Sequence, residues 1–171
     1  LKQNGRRRSI LSAPPIYTMS PDMLEHILRR NSVSEEERAR IHEYAASQLK
    51  RSEQLLTVGT IEDEIPQLND EEFSRHPAVL PLSGLFYGHD ITYTPDEYRE
   101  HIEQTLSFAE EHPNYTVTLT AANPFRNLCI LIHEGRWAMI SKSNAPAIHF
   151  VIHHPKLRAA IESFTPPMVE E

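Results

Sequence analysis

At Pro113 the spacing of apolar residues changes, and that change limits the architectures open to this chain. Before it, Tyr98, Ile102, Leu106 and Ala109 recur at the three- and four-residue intervals of one helix face. After it, Tyr115-Thr116-Val117-Thr118-Leu119-Thr120 alternates, the period of a half-buried strand. The helix before the break opens on Thr94-Pro95-Asp96-Glu97. This places a hydroxyl N-cap, a proline at the first helical position and a glutamate three residues after the cap, the pattern of a capping box.

The same signals divide the rest of the chain. Ser20, Pro21 and Asp22 start a helix carrying Leu24, Ile27 and Leu28 and ending near Arg30. Ser34 with Glu37 caps a long amphipathic helix bearing Ile41, Tyr44, Ala45, Gln48, Leu49 and Leu55. Residues 57–70 read as acidic and irregular, with Asn69 and Glu72 capping one short helix before Pro77. Residues 79–87 contain Pro81 and Gly84 and suit an edge strand or a packed loop. Strands are expected at 128–132 and 137–140, joined by a two-residue turn at Glu134-Gly135 that pairs Ile132 with Trp137 and Ile130 with Met139. Ile148, Phe150 and Ile152 make a further strand. His154 and Pro155 open a last helix with Leu157, Ala160, Ile161 and Phe164, which Pro166 and Pro167 end.

N-terminal helices, then strands, then a helix imply an α+β fold with a mainly antiparallel sheet, covered by helices on one face and closed by a C-terminal helix. Arg6, Arg7 and Arg8 beside Asn4 and Gly5, followed by Pro14 and Pro15, read as solvated connector. The expected organisation is a linker over 1–19 trailing an upstream domain, a helical arm over 20–76 and an α+β core over 77–171. Leu1 in place of an initiating methionine fits that reading.

Composition excludes several classes of function. Hydrophobic residues at 39% and charged residues at 24% describe a chain that folds. A net charge of −7 opposes nonspecific binding to nucleic acid. The single cysteine, Cys129, rules out an intramolecular disulfide and a zinc ribbon, and points to the reducing cytoplasm. No run approaches the roughly 18 apolar residues of a membrane span. Five glycines are present and none forms a phosphate-cradling loop, so no nucleotide cofactor is expected.

The residues that suggest chemistry fail on spacing. Cys129 and His133 lie four positions apart on an expected strand, roughly 13 Å at about 3.3 Å per residue, too far for proton transfer. His149 and His153 are separated in the same way and His154 points to the opposite face, so no metal site is expected. His133-Glu134 is followed by Gly135 and Arg136 and does not continue as a helical zinc motif. No catalytic residue is assigned. The remaining ligand-binding candidates are Trp137 and Phe150 as walls of an apolar pocket, with Asn123, Arg126, Lys142 and His149 as polar groups around it. Plain packing of the two aromatics is the competing reading.

The short helix, the Ser34-Glu35-Glu36-Glu37 start and the closing Leu49-Lys50-Arg51-Ser52-Glu53-Gln54-Leu55-Leu56 resemble the effector-like region that follows the helix-turn-helix in bacterial Xre-type regulators. Tyr93-Thr94-Pro95-Asp96-Glu97-Tyr98, His112-Pro113-Asn114-Tyr115 and His133-Glu134-Gly135-Arg136-Trp137 resemble the C-terminal regions of such regulators in Firmicutes. The resemblance covers nearly the whole chain and implies a sensing or dimerisation domain. It further implies a homodimer, DNA contacted only through an absent N-terminal domain, and an unidentified small-molecule or protein effector. A protein-interaction module without ligand and a small enzyme are the alternatives.

Overall fold

The arginine run expected in a solvated linker forms a central strand of the sheet. In a computed structural model describing residues 5–82, 90–121, 128–142 and 148–164, β1 (Arg6–Ile10) is bonded on both sides, and Arg8, Ser9 and Ile10 are buried. The arginines tolerate this because each guanidinium has an acceptor. Arg6 reaches Glu62 at 2.9 Å and Glu134 at 3.3 Å, Arg7 donates to the Tyr17 hydroxyl at 3.2 Å, and Arg8 donates to the Glu162 carbonyl at 3.2 Å. One of these acceptors lies 154 residues away, so the strand resembles a tail when only its neighbours in sequence are considered.

A 3₁₀ turn (Ile16–Thr18) leads into α1 (Pro21–Arg30) and α2 (Glu35–Val58). Then come β2 (Thr60–Pro66), α3 (Asp70–Arg75), α4 (Pro95–Glu111), β3 (Tyr115–Thr120), β4 (Leu128–His133), β5 (Trp137–Lys142), β6 (Ile148–Ile152) and α5 (Pro155–Phe164). The sheet order is β3-β2-β1-β4-β5-β6, with β1, β2 and β3 parallel and β4, β5 and β6 added antiparallel. Helical crossovers return the chain to the same end between the parallel strands, whereas a tight turn reverses it between β4 and β5. The fold is α+β, as the change of period implies.

The expected boundaries need three corrections. The linker assigned to 1–19 contains β1, and the arm assigned to 20–76 contains β2, so both belong to the same sheet as the later strands. The irregular acidic stretch is β2: Ile61, Asp63 and Ile65 are buried on one face while Glu62 and Glu64 occupy the other. Its alternation is hidden because a carboxylate takes a core position. The β4–β5 loop has three residues, 134–136, with Gly135 at φ 73°. The register is therefore one residue off the expected one, pairing His133 with Trp137 and Ile130 with Ile140.

Local capping agrees with the sequence. Asn69 with Glu72 and Thr94 with Glu97 make both bonds of a capping box, and the Ser34 hydroxyl accepts from the Glu37 N–H at 3.3 Å. Glu25 ties α1 to α2 by accepting from Arg29 at 2.7 Å, Arg38 at 3.0 Å and His42 at 2.7 Å. Leu24, Ile27, Leu28, Ile41, Phe73, Tyr98 and Ile102 form the largest core cluster, among the helices.

The front of the sheet is the face beneath α2 and α4, where Leu55, Leu56 and Phe108 pack on Ile61 and Tyr115. The back is also covered in part, unlike the one-sided cover expected. There Ile161 of α5 and Ile140 of β5 pack against the cluster of Ile10, Ile130, Ile132 and Ala138.

Where α2 meets β2, Gly59 passes so close to Gly5 that a Cβ would lie 1.8 Å from the Gly5 carbonyl oxygen, which itself accepts the Thr60 N–H at 2.9 Å. A Gly59→Ala substitution is expected to force the two main chains apart and cost about 2–3 kcal/mol. The check is the urea midpoint of unfolding at unchanged slope.

Candidate functional site

The six residues selected as ligand contacts do not converge. Asn123 and Arg126 fall outside the described residues. Trp137 and Phe150 lie on opposite faces: Trp137 pairs with His133 on the front, and Phe150 is level with Ile140 on the back. Lys142 is also on the back. His149 is on the front level with Ser141, four residues along β5 from Trp137 and so roughly 13 Å away. The ring beside Trp137 is His133, at a centroid distance of 5.7 Å. Cys129 is buried, with its sulfur 3.4 Å from the Ser12 hydroxyl, and shares β4 with His133 at the spacing expected of a strand.

Two buried polar clusters occupy the interior instead. On the front of the sheet, Asp63 Oδ2 accepts from the Tyr17 hydroxyl at 3.0 Å and from the Tyr115 hydroxyl at 2.9 Å, while Arg7 lies 5.8 Å from the Tyr17 ring centroid. Tyr17, Phe108 and Tyr115 meet edge to face around it. Burial pushes the Asp63 carboxyl above the usual range, against the pull of Arg7 and of the Tyr115, Tyr17 and Ser9 hydroxyls. Burial also pushes both phenols well up, with Asp63 adding to the effect, so they donate protons rather than titrate.

The second cluster is centred on α4. His101 is fully buried, with Nδ1 2.9 Å from the Tyr93 hydroxyl and Nε2 3.1 Å from the Pro15 carbonyl. A carbonyl only accepts, so Nε2 carries the hydrogen and Nδ1 receives the tyrosine's. Burial holds the imidazole down at about 3, hence neutral, although the Pro15 carbonyl favours the charged form. Thr18 and Thr105 complete the cluster, their hydroxyls 2.7 Å apart.

Nearby, Glu97 would be raised by burial. The forked Arg30 guanidinium, at 2.8 Å, and the Thr94 N–H hold it below the usual range instead.

The sequence reading missed Arg7, Tyr17, Asp63, His101 and Tyr115 as a group. A signal was present in each element: Ile61-x-Asp63-x-Ile65 keeps strand alternation, and His101 lies on the stripe of Tyr98, Ile102 and Thr105. A purely apolar count discards both residues.

The 3₁₀ turn and the outer side of α4 enclose an open groove of about 530 Å³, lined by Thr18, Ser20, Gln104 and the carboxylates of Glu100, Glu103 and Glu111. Three carboxylates make it unsuitable for a phosphate or another anion. Among the described residues no group of three or more His, Cys, Asp or Glu is placed to hold a metal ion, and no helix is long and apolar enough to cross a membrane.

The described sheet ends differently at its two edges. On β3, Thr116, Thr118 and Thr120 share the back face. On β6, Ile148, Phe150 and Val151 are 47%, 62% and 55% exposed, and Leu157 of α5 is 58% exposed. Comparison with protein families, with curated proteins and with solved structures yields no match.

The buried groups predict opposite pH responses. Asp63 lies above its unfolded value of about 3.9, so the stability linked to it is full below that value and is lost as pH rises through its folded value. Asp63→Asn should remove that loss, seen as a flatter profile of urea-unfolding free energy at rising pH. For His101 the sign reverses: its contribution is full above 6.5 and is lost as pH falls toward 3. His101→Gln should cost about 1–3 kcal/mol at neutral pH, from hydrogen bonds left unmade. In acid the gap to the native chain should narrow, which the same titration measures.

Proposed function

We propose that this chain is the sensing and pairing region of a bacterial helix-turn-helix transcription regulator, in which another segment of the same protein reads DNA. The observation that carries the reading is the apolar surface left open at the β6 end of the sheet, formed by Ile148, Phe150, Val151 and Leu157. Apolar residues concentrated at one edge suit association with protein rather than chemistry on a small substrate. The resemblance of the capped helices and of the β4–β5 hairpin to the C-terminal regions of Xre-type regulators supplies the context. Pairing is what a regulator of that design requires, because two half-sites on DNA need two readers.

Charge supports the division of labour. At −7 this chain would repel a phosphate backbone, so contact with DNA falls to the other segment. The buried titratable groups support a non-catalytic role: Asp63 is occupied by two phenols, and His101 by a tyrosine and a main-chain carbonyl. An effector, a small molecule or a protein, would act by favouring one arrangement of the paired domains over another. A single buried cysteine fits a cytoplasmic protein.

Fluorescence anisotropy with labelled duplex DNA tests the reading. The full natural polypeptide should bind with an affinity that falls steeply with salt, and residues 1–171 alone should not bind. A full polypeptide without DNA affinity, or a 171-residue chain that binds duplex by itself, would overturn it.

A further inference from the structure

The back layer of the fold stops one strand short. Ile161 of α5 and Ile140 of β5 both pack against the cluster of Ile10, Ile130, Ile132 and Ala138, yet Phe150, level with Ile140 on the next strand, is 62% exposed. Ile148 lies on the same face, and Leu157, although on the apolar stripe of α5, remains exposed too. The strand below them is open in the same direction. β6 is bonded to β5 on one side, and no described strand bonds its other side.

Natural edge strands are guarded against such pairing by lysine, proline, a bulge or an inward charge. Ile148-His149-Phe150-Val151-Ile152 has no Lys, Arg, Asp, Glu, Pro or Gly. The opposite edge differs: β3 is also uncharged but places three threonines on the back face, and α4 covers its front.

We propose that β6 pairs antiparallel with β6 of a second copy, about a two-fold axis passing through Phe150, so that one sheet runs through both molecules. In that register Phe150 faces Phe150 of the second copy on the back, Ile148 faces Ile152, and His149 faces Val151 on the front. The absence of formal charge on β6 suits a second copy here. Two chains of −7 repel, so an interface between them must lie where formal charge is absent. The β6 edge meets that condition, and its self-pairing sets no like charges opposite each other. The two α5 helices then flank a trough over the joined strands, which the two Phe150 rings fill and in which Leu157 finds cover. This pairing rests on the reading of the chain as a pairing domain and names its partner.

Sedimentation equilibrium of the 171-residue chain should show a reversible dimer. Phe150→Lys should weaken it by about 30-fold or more, as expected for a central aromatic of an interface, with unchanged far-UV circular dichroism and thermal unfolding. A second variant tests the register. Phe150→Cys should form an intermolecular disulfide under mild oxidation, because directly opposed residues of an antiparallel pair have Cα atoms within disulfide reach. Ile148→Cys should not, since its counterpart lies four positions away along the strand, and the native chain with buried Cys129 serves as control.

A native chain that is monomeric at every concentration overturns the proposal, the edge then belonging to residues 165–171 or to a different protein. So does a dimer that survives Phe150→Lys without cross-linking at position 150. Neither result decides the DNA-binding test, and loss of DNA binding would leave the dimer measurement standing.

Discussion

The carboxylate of Asp63 is the point at which the sheet is tied to the layer above it. It sits on β2, and its Oδ2 takes one hydrogen bond from Tyr17, on the turn that leads into the helices, and one from Tyr115, at the start of β3. Burying a carboxylate costs several kcal/mol, on the order of what a well-placed partner returns. The two phenols and the nearby Arg7 guanidinium offset part of that cost in this geometry, burial still holding the carboxyl above its usual range. Because side chains alternate along a strand, a slip of β1 or β2 by one residue would carry Arg7 or Asp63 to the back of the sheet and leave the other uncompensated. The cluster therefore specifies register more than it adds stability.

A second node repeats the arrangement deeper among the helices. His101 links α4 to the Pro15 carbonyl and to Tyr93, while Glu97, one turn earlier, holds Arg30 of α1. The face that α4 turns inward is half polar: Glu97, His101 and Thr105 alternate with Tyr98 and Ile102. Each polar group has a partner far away in sequence, which makes the helix specific to one position. Leu106, assigned to the apolar stripe, is 39% exposed because the stripe is rotated toward these polar anchors.

This distribution gives the molecule a closed end and an open end. Over β1, β2 and β3 the front is sealed by helices and aromatic rings, with hydroxyl and carboxylate groups paired inside. Over β6 neither face is sealed by the described residues, and apart from His149 the exposed side chains are apolar. The paired polar groups thus lie inside and the exposed apolar side chains at one edge, the edge proposed to pair.

Capping and period were legible from the residues alone. Thr94-Pro95-Asp96-Glu97, Asn69 with Glu72, Ser20-Pro21 and the alternation after Tyr115 act within a few residues of themselves, and the helices and strands they announce are present. The α+β class follows from them. Tertiary contacts decided the rest. Arg6, Arg7 and Arg8 form a strand because Glu62, Tyr17 and the Glu162 carbonyl come to meet them. Asp63 is a core residue because two tyrosines converge on it. Trp137 and Phe150 are separated by the sheet because the β5–β6 register sets Phe150 level with Ile140, three residues along β5 from Trp137 and so on the other face. Short-range signals report the conformation of a segment. Whether a charge is buried, or which face an aromatic occupies, depends on groups that are remote in sequence and are brought into contact only by the completed fold.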